Sequence, residues 1–388
     1  MVDSLEEFSK YNFRPATLYK RIRKSCKCLS TGVFPIDMAI SEVDDDGYAG
    51  IRERDALELV GPNNSFKTAI SISMIIETQK RFPGNCVVAV FSEPFDPDRL
   101  EACGVDLERL MVYIVYKEDT EEVDMTLAEE ALDAVLHIIR NEEVRLVVID
   151  SVAALTPKGL EYNGSKEREF GKPTVALLAK VMNEFIVKFK NHAAKAVLCM
   201  INHYKEKINT DFMMMQMEDK SKLETPGGRG SEFLSDVRIL CKSNVILQKE
   251  KHSILDARQG DYVECTWNLF KNKYCPTVIH RTVKGKFDPA RSKFNNEEVL
   301  IDWGNFFTVK KETKGKDPEY FSKLSVPIVK AGAWVRIGDA IKINGKEKAA
   351  LELENHPELV DKLKKEMYKL EGELFQDKKP SLEELLEQ

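Results

Sequence analysis

Gly61-Pro62-Asn63-Asn64-Ser65-Phe66-Lys67-Thr68 decides how this chain is read. The octet follows an apolar run, Ala56-Leu57-Glu58-Leu59-Val60, and opens a helical pattern from about Phe66 to Lys80. Strand, loop and helix in that order are the context of the phosphate-binding loop G-x-x-x-x-G-K-[ST]. Backbone N–H groups at the helix N-terminus face the phosphates there, and the helix dipole favours the anion. Lys67 is placed to reach the β- and γ-phosphates, and Thr68 to offer its hydroxyl to Mg²⁺. All eight residues, Gly61, Pro62, Asn63, Asn64, Ser65, Phe66, Lys67 and Thr68, are therefore candidate ATP contacts. One position departs from the pattern. Glycine normally precedes the lysine, and here the residue is Phe66. A ring there is compatible with a working loop only if it points into the protein.

Three strand ends downstream extend the site. Arg145-Leu-Val-Val-Ile-Asp150-Ser151 is an apolar strand ending in an acid, the Walker B arrangement, with Asp150 holding Mg²⁺ alongside Thr68. Glu93 follows the strand Val87–Phe91, where an acid is either a turn residue or the general base for an attacking water. Asn202-His203 closes the run Val197–Ile201. Polar groups at such an edge belong to the ligand crevice of an open sheet. The pair reads either as a γ-phosphate sensor or as a structural feature.

Around these motifs short apolar runs alternate with helical patterns. The strand candidates are Ala56–Val60, Cys86–Phe91, Val112–Val115, Leu146–Ile149, Ala196–Ile201, Val237–Leu240 and Thr277–Thr282; the helical patterns include Met125–Arg140 and Thr174–Asn191. Near-continuous apolar strands are those of parallel sheets covered on both faces. The prediction is an α/β fold, a P-loop ATPase core with a mostly parallel central sheet and helices on both faces. The expected organisation is a helical, basic N-terminal arm (1–32), the core (33–300), a small α/β C-terminal domain (301–370) with a charged helix at Pro357–Leu370, and an acidic tail (371–388). His203 to Gly230 is polar and longer than an ordinary connection, which marks a functional or disordered loop.

Composition bounds the possibilities. The net charge of the 388 residues is −6, and residues 351–388 account for −5 of it, with eleven acids and six bases. From Lys271 to Lys293 seven bases stand against Asp288 alone. On composition this strip reads as a solvated surface. Eight cysteines are scattered, with only Cys26 and Cys28 close, which predicts free thiols rather than a zinc site. No apolar run approaches the ~18 residues that span a bilayer, and the acidic N-terminus is not a signal segment. The expectation is a cytoplasmic protein with no membrane partner.

Several stretches together resemble the RecA family of DNA recombinases. They are Asp150-Ser-Val-Ala-Ala-Leu-Thr-Pro-Lys158, Asp96-Pro97 with Cys103-Gly104-Val105-Asp106, Lys271-Asn272-Lys273 with Pro276, and Ile328-Val-Lys-Ala-Gly-Ala-Trp334. The similarity runs with gaps from about Leu29 to Leu370. Within the family, Phe66 and Ile201-Asn202-His203 are similar to phage UvsX-type recombinases. A phage origin would place the protein in the cytoplasm of a bacterial host.

The resemblance implies specific roles. Glu93 matches the glutamate that activates water, and Asp96 an adenine contact. Arg99 stands where the family has an adenine-stacking tyrosine, and its guanidinium can lie over a base. Lys271 and Lys273 match lysines that reach the ATP of a neighbouring subunit, and Phe233 an interface phenylalanine. The DNA-binding loops match Pro157–Lys172 and His203–Gly230, which makes Lys158, Lys166, Arg168, Lys205, Lys207, Gly227, Gly228 and Arg229 candidate DNA contacts. The second loop has five bases and five acids. Its Phe212-Met213-Met214-Met215 either wedges between bases or packs as a short helix. Lys20, Arg21, Arg23 and Lys24 are either a strap to the next subunit or a basic surface helix.

The implied activity is DNA-stimulated ATP hydrolysis, with Mg²⁺, in a helical homo-oligomer on single-stranded DNA that pairs with homologous double-stranded DNA. Single-strand-binding and loader proteins are possible partners. The alternatives are a hexameric RecA-fold helicase, which shares the ATP residues but closes into a ring, and a non-hydrolysing DNA-binding paralogue. A small-molecule kinase ranks behind both, because no separate acceptor site is visible.

Overall fold

The computed structural model describes residues 15–92, 95–114, 128–158, 173–203, 225, 228–247, 262–275, 281–311, 319–339 and 341–376. The elements in chain order begin with α1 (Ala16–Ser25), β1 (Cys28–Leu29), α2 (Phe34–Ile40), β2 (Ile51–Arg52), β3 (Ala56–Val60), α3 (Lys67–Arg81), β4 (Cys86–Phe91), α4 (Pro97–Ala102) and β5 (Leu110–Ile114). They continue with α5 (Ala128–Ile138), β6 (Val144–Asp150), α6 (Pro173–His192), β7 (Val197–Asn202), α7 (Gly228–Leu234), β8 (Val237–Leu247), β9 (Tyr262–Asn272), β10 (Arg281–Asp288) and β11 (Lys293–Phe294). Then come α8 (Asn296–Phe306), β12 (Thr308–Lys311), β13 (Glu319–Ser322), β14 (Ile328–Ala331), β15 (Trp334–Ile337), β16 (Ile341–Asn344), α9 (Lys346–Glu354) and α10 (Pro357–Gln376).

The central sheet has nine strands in the order β11-β10-β9-β8-β3-β7-β6-β4-β5. From β5 to β8 every neighbouring pair is parallel, and β8, β9, β10 and β11 continue antiparallel. The parallel strands β3 and β7 are nearly continuous apolar runs because both faces of the sheet are covered. All five residues of β3 and all six of β7 are buried. One face packs against α3, with Ile70, Met74 and Ile75 in the core. The other packs against α5 and α6. Helix α6 shows why: Leu178, Met182, Phe185, Ile186 and Phe189 recur at helical spacing and are all buried. A third cluster joins Phe34 and Met38 of α2 to α8, β14, β15, α9 and α10.

The α/β prediction with a mostly parallel sheet holds. Several local features differ. β8 runs on to Leu247, where the apolar pattern suggested an end at Leu240. The strand expected at Thr277–Thr282 is Arg281–Asp288, with 276–280 outside the described residues. β9 was not foreseen, because it buries Val263, Cys265, Trp267 and Leu269 at every second position between polar residues, rather than as one apolar run. The last helix continues past Leu370 to Gln376, held by Glu371, which is buried against Arg281 at 2.7 Å. Among the described residues no helix is long and apolar enough to cross a membrane.

Candidate functional site

β3 delivers the octet to the carboxyl edge of the sheet, where the register pairs Val60 with Asn202 of β7. Gly61 is obligatory for space, since a Cβ there would stand 2.5 Å from both the Cys241 carbonyl oxygen and Ser65 Oγ. The Ser65 hydroxyl donates to the Pro62 carbonyl at 2.8 Å. Lys67 is almost fully buried, and its ammonium donates to the carbonyls of Gly61 (2.9 Å) and Pro62 (2.7 Å). Burial lowers its pKa. The loop is thus shaped by its own side chains, while Pro62, Asn63, Asn64 and Thr68 remain exposed.

Phe66 is left-handed, with φ 62° and ψ 23°, and caps α3. Its ring turns into the protein and meets Phe287 of β10 at 4.5 Å between centroids. The geometry required for a ring at this position is therefore met. A side chain in this backbone region costs about 1–2 kcal/mol, and the ring offsets it by packing. We expect Phe66→Ala to destabilise by about 2 kcal/mol through lost packing. Phe66→Gly should lose about 1 kcal/mol less, because glycine relieves the backbone. Urea melts of the two variants check this, and equal losses would show that the left-handed backbone carries no strain.

Asp150 closes β6, and its Oδ2 accepts a 2.8 Å hydrogen bond from Thr68 Oγ1. Hydroxyl and carboxylate meet as hard oxygen donors. Among the described residues no group of three or more His, Cys, Asp or Glu could hold a metal ion. A donor pair of this kind fits Mg²⁺, which is commonly held by one or two protein ligands with phosphates and water supplying the rest. Ser92 locks the neighbouring strand end in place. Its N–H donates to the Asp150 carbonyl at 2.9 Å, and its hydroxyl accepts from Ser151 N–H at 2.8 Å. Glu93, next in sequence, lies outside the described residues. Asp96 is exposed and caps α4 by accepting from Arg99 N–H at 3.2 Å. Arg99 is also exposed.

Asn202 is fully buried, and its amide donates to Glu58 Oε1 at 2.9 Å while its own oxygen accepts from His203 N–H at 3.0 Å. Behind it lies a feature that the sequence reading missed. Arg238 of β8 donates from Nε to Glu58 Oε2 at 2.6 Å, and the two side chains are 6% and 1% exposed. The signal was present as a glutamate in the middle of Ala56-Leu-Glu-Leu-Val60 and an arginine in Val237-Arg-Ile-Leu240, in strands otherwise built for two-sided burial.

Lys271, Lys273 and Phe233 form one patch. The Lys271 ammonium donates to the carbonyl of Phe233 at 2.9 Å and to that of Glu232, capping α7. Burial, and then repulsion by Lys273 and Arg238, push its pKa down to about 8. Lys273 pairs with Asp236 at 3.0 Å. The ring of Phe233 is 72% exposed beside them. The rest of the basic strip is engaged within the chain: Arg281 with Glu371, Lys284 with Glu264, Lys286 with Glu298, and Arg291 and Lys293 with Glu354.

Of the candidate DNA contacts, Lys158 is exposed and its N–H donates to Glu129. Gly228 opens α7 and Arg229 follows in its first turn. Lys166, Arg168, Lys205, Lys207 and Gly227, and the cluster Phe212–Met215, lie outside the described residues. Helix α1, which carries Lys20, Arg21, Arg23 and Lys24, buries none of its residues, and it exposes Leu18, Tyr19 and Ile22.

Comparison with known proteins agrees with this architecture. The family model described as RecA N-terminal domain matches residues 9–277. Protein RecA of Symbiobacterium thermophilum is 30% identical over 349 residues, which cover 89% of this chain and 83% of the relative. Protein RecA of Aquifex aeolicus is 29% identical over 347 residues, covering 89% and 84%. Protein RecA of Clostridium acetobutylicum is 26% identical over 361 residues, covering 92% and 87%. With a family model across most of its length and relatives matched nearly end to end, this chain belongs to the RecA family.

Proposed function

We propose that this protein is an ATP-dependent homologous DNA recombinase of the UvsX type, which assembles as a helical filament on single-stranded DNA and pairs it with homologous duplex. The observation that carries the reading is the Thr68–Asp150 contact under a loop already shaped around Lys67. Phe66 and the Asn202-His203 pair support the phage subtype. Thr68 and Asp150 would hold Mg²⁺, which would supply neutralisation of the phosphate charge. Lys67 holds the phosphates, Asp96 and Arg99 the base, and Glu93 takes the proton of the attacking water.

A head-to-tail contact that does not close generates a filament. The surface of the protomer supplies two faces for it: the unburied apolar face of α1, and Phe233 with Lys271 and Lys273. Lys158, Lys166, Arg168, Lys205, Lys207, Gly227, Gly228 and Arg229 form the DNA-facing set. ATP then acts as a switch on DNA affinity through linkage.

The test is ATP hydrolysis with and without single-stranded DNA, with Lys67→Ala as the inactive control. DNA-stimulated turnover together with filaments in electron micrographs supports the proposal. Closed rings would assign the helicase instead, and DNA binding without turnover would assign the non-hydrolysing paralogue. The acidic C-terminus gives a further prediction. Truncation should begin after Gln376, since Glu371 holds Arg281. Removing residues 377–388, four acids against two bases, should tighten single-stranded DNA binding at low salt by about threefold. Equal or weaker affinity of the shortened protein in a salt titration would refute competition by the tail.

A further inference from the structure

The Glu58–Arg238 pair occupies the middle of the sheet, directly across the β3–β8 register. A buried ion pair is poor support for a fold, since apolar residues of similar volume commonly serve as well. What distinguishes this pair is where its remaining hydrogen bonds go. Glu58 accepts with Oε2 from Arg238 and with Oε1 from the amide of Asn202, at the nucleotide edge. The Arg238 fork gives one nitrogen to each of three partners. Nε meets Glu58, Nη2 reaches Thr225 Oγ1 at 3.4 Å, and Nη1 reaches Glu232 at 3.5 Å on α7. Its guanidinium also lies over the Phe270 ring at 4.6 Å. Asn202 and Thr225 stand on the two sides of residues 204–224, and both are buried. Glu232 precedes the exposed Phe233.

We infer that Glu58 and Arg238 are positioning residues that tie the nucleotide edge to the chain on both sides of residues 204–224 and to α7, and so set how strongly nucleotide changes DNA affinity. The inference rests on the recombinase reading above. A displacement of Asn202 is passed to Glu58, from Glu58 to the rigid guanidinium, and from there to Thr225 and Glu232 together. Planarity matters, because a fork that rotates at one end moves its other nitrogens with it. An ammonium satisfies Glu58 but has no geometry linking the other two contacts.

The experiment measures the affinity of the full-length protein for a fluorescein-labelled oligo-dT with and without a slowly hydrolysed ATP analogue, and takes the ratio. Wild-type protein should show a ratio within the roughly 5–150-fold range of ordinary site–site coupling. Arg238→Lys, which keeps a cation opposite Glu58, should lower the ratio at least about threefold, with analogue affinity changed by less than about twofold. Glu58→Met/Arg238→Met should bring it close to one while the fold is kept. A merely structural pair would leave the ratio unchanged in variants with wild-type melting curves. Wild-type ratios in both variants would overturn the inference alone. If the double variant fails to fold, Arg238→Lys decides. No nucleotide dependence in the wild-type protein would overturn the recombinase reading, and this inference with it.

Discussion

Glu93→Gln should lower DNA-stimulated ATP hydrolysis by about 10²–10⁴-fold, the usual contribution of a positioned general base, while nucleotide and single-stranded DNA affinities stay nearly unchanged. The expectation comes from the strand edge. β4 ends at Phe91, in register with Asp150, and Ser92 is bonded to both Asp150 and Ser151. The chain therefore leaves the sheet next to the Thr68–Asp150 pair, and Glu93 follows directly. Glutamine keeps the size and polarity of the side chain but cannot take a proton at neutral pH. Lys67→Ala should behave differently, because the ammonium acts in binding as well as in turnover, so nucleotide affinity falls too. If hydrolysis releases DNA, Glu93→Gln should also prolong the lifetime of the ATP-dependent DNA complex. A pre-steady-state hydrolysis assay and a dissociation measurement check both points. DNA-stimulated turnover near the wild-type rate would remove Glu93 from the role.

Much of this site was readable because its chemistry is local in sequence. The octet between β3 and α3, and the acid at the end of β6, announce themselves by composition and order, and the strands that carry them are continuous apolar runs. Even the direction of the Phe66 ring followed from a steric requirement. Long-range pairing was less legible. Glu58 and Arg238 are 180 residues apart, and neither alone says that it will meet the other. β9 hid behind alternation, because an antiparallel strand exposes every second residue to a more polar face. Lys271 looked like an available cation, yet α7 presents two carbonyls to it. Helix α10 outran its apparent end because Glu371, an acid in an acidic region, pairs inward with Arg281 rather than facing solvent.

Arg238→Met alone should cost about 3–5 kcal/mol of stability, because it strands the Glu58 carboxylate in the middle of the sheet. Asn202 would still donate to one oxygen, but one amide does not balance a buried charge. Glu58→Met alone should cost a similar amount, leaving the guanidinium without its 2.6 Å partner. The double replacement Glu58→Met/Arg238→Met should lie within about 1–2 kcal/mol of the wild-type protein, since methionine fills comparable volume and removes both desolvation costs. The double-mutant cycle should therefore show strong coupling between neighbouring strands, although the pair adds little net stability. Guanidinium denaturation of the four proteins measures it. If the double variant is as unstable as the sum of the single ones, the pair is a structural necessity of the sheet. If stability returns while the nucleotide dependence of DNA binding does not, the charges are retained for the contacts they make beyond the sheet, at Asn202, Thr225 and Glu232.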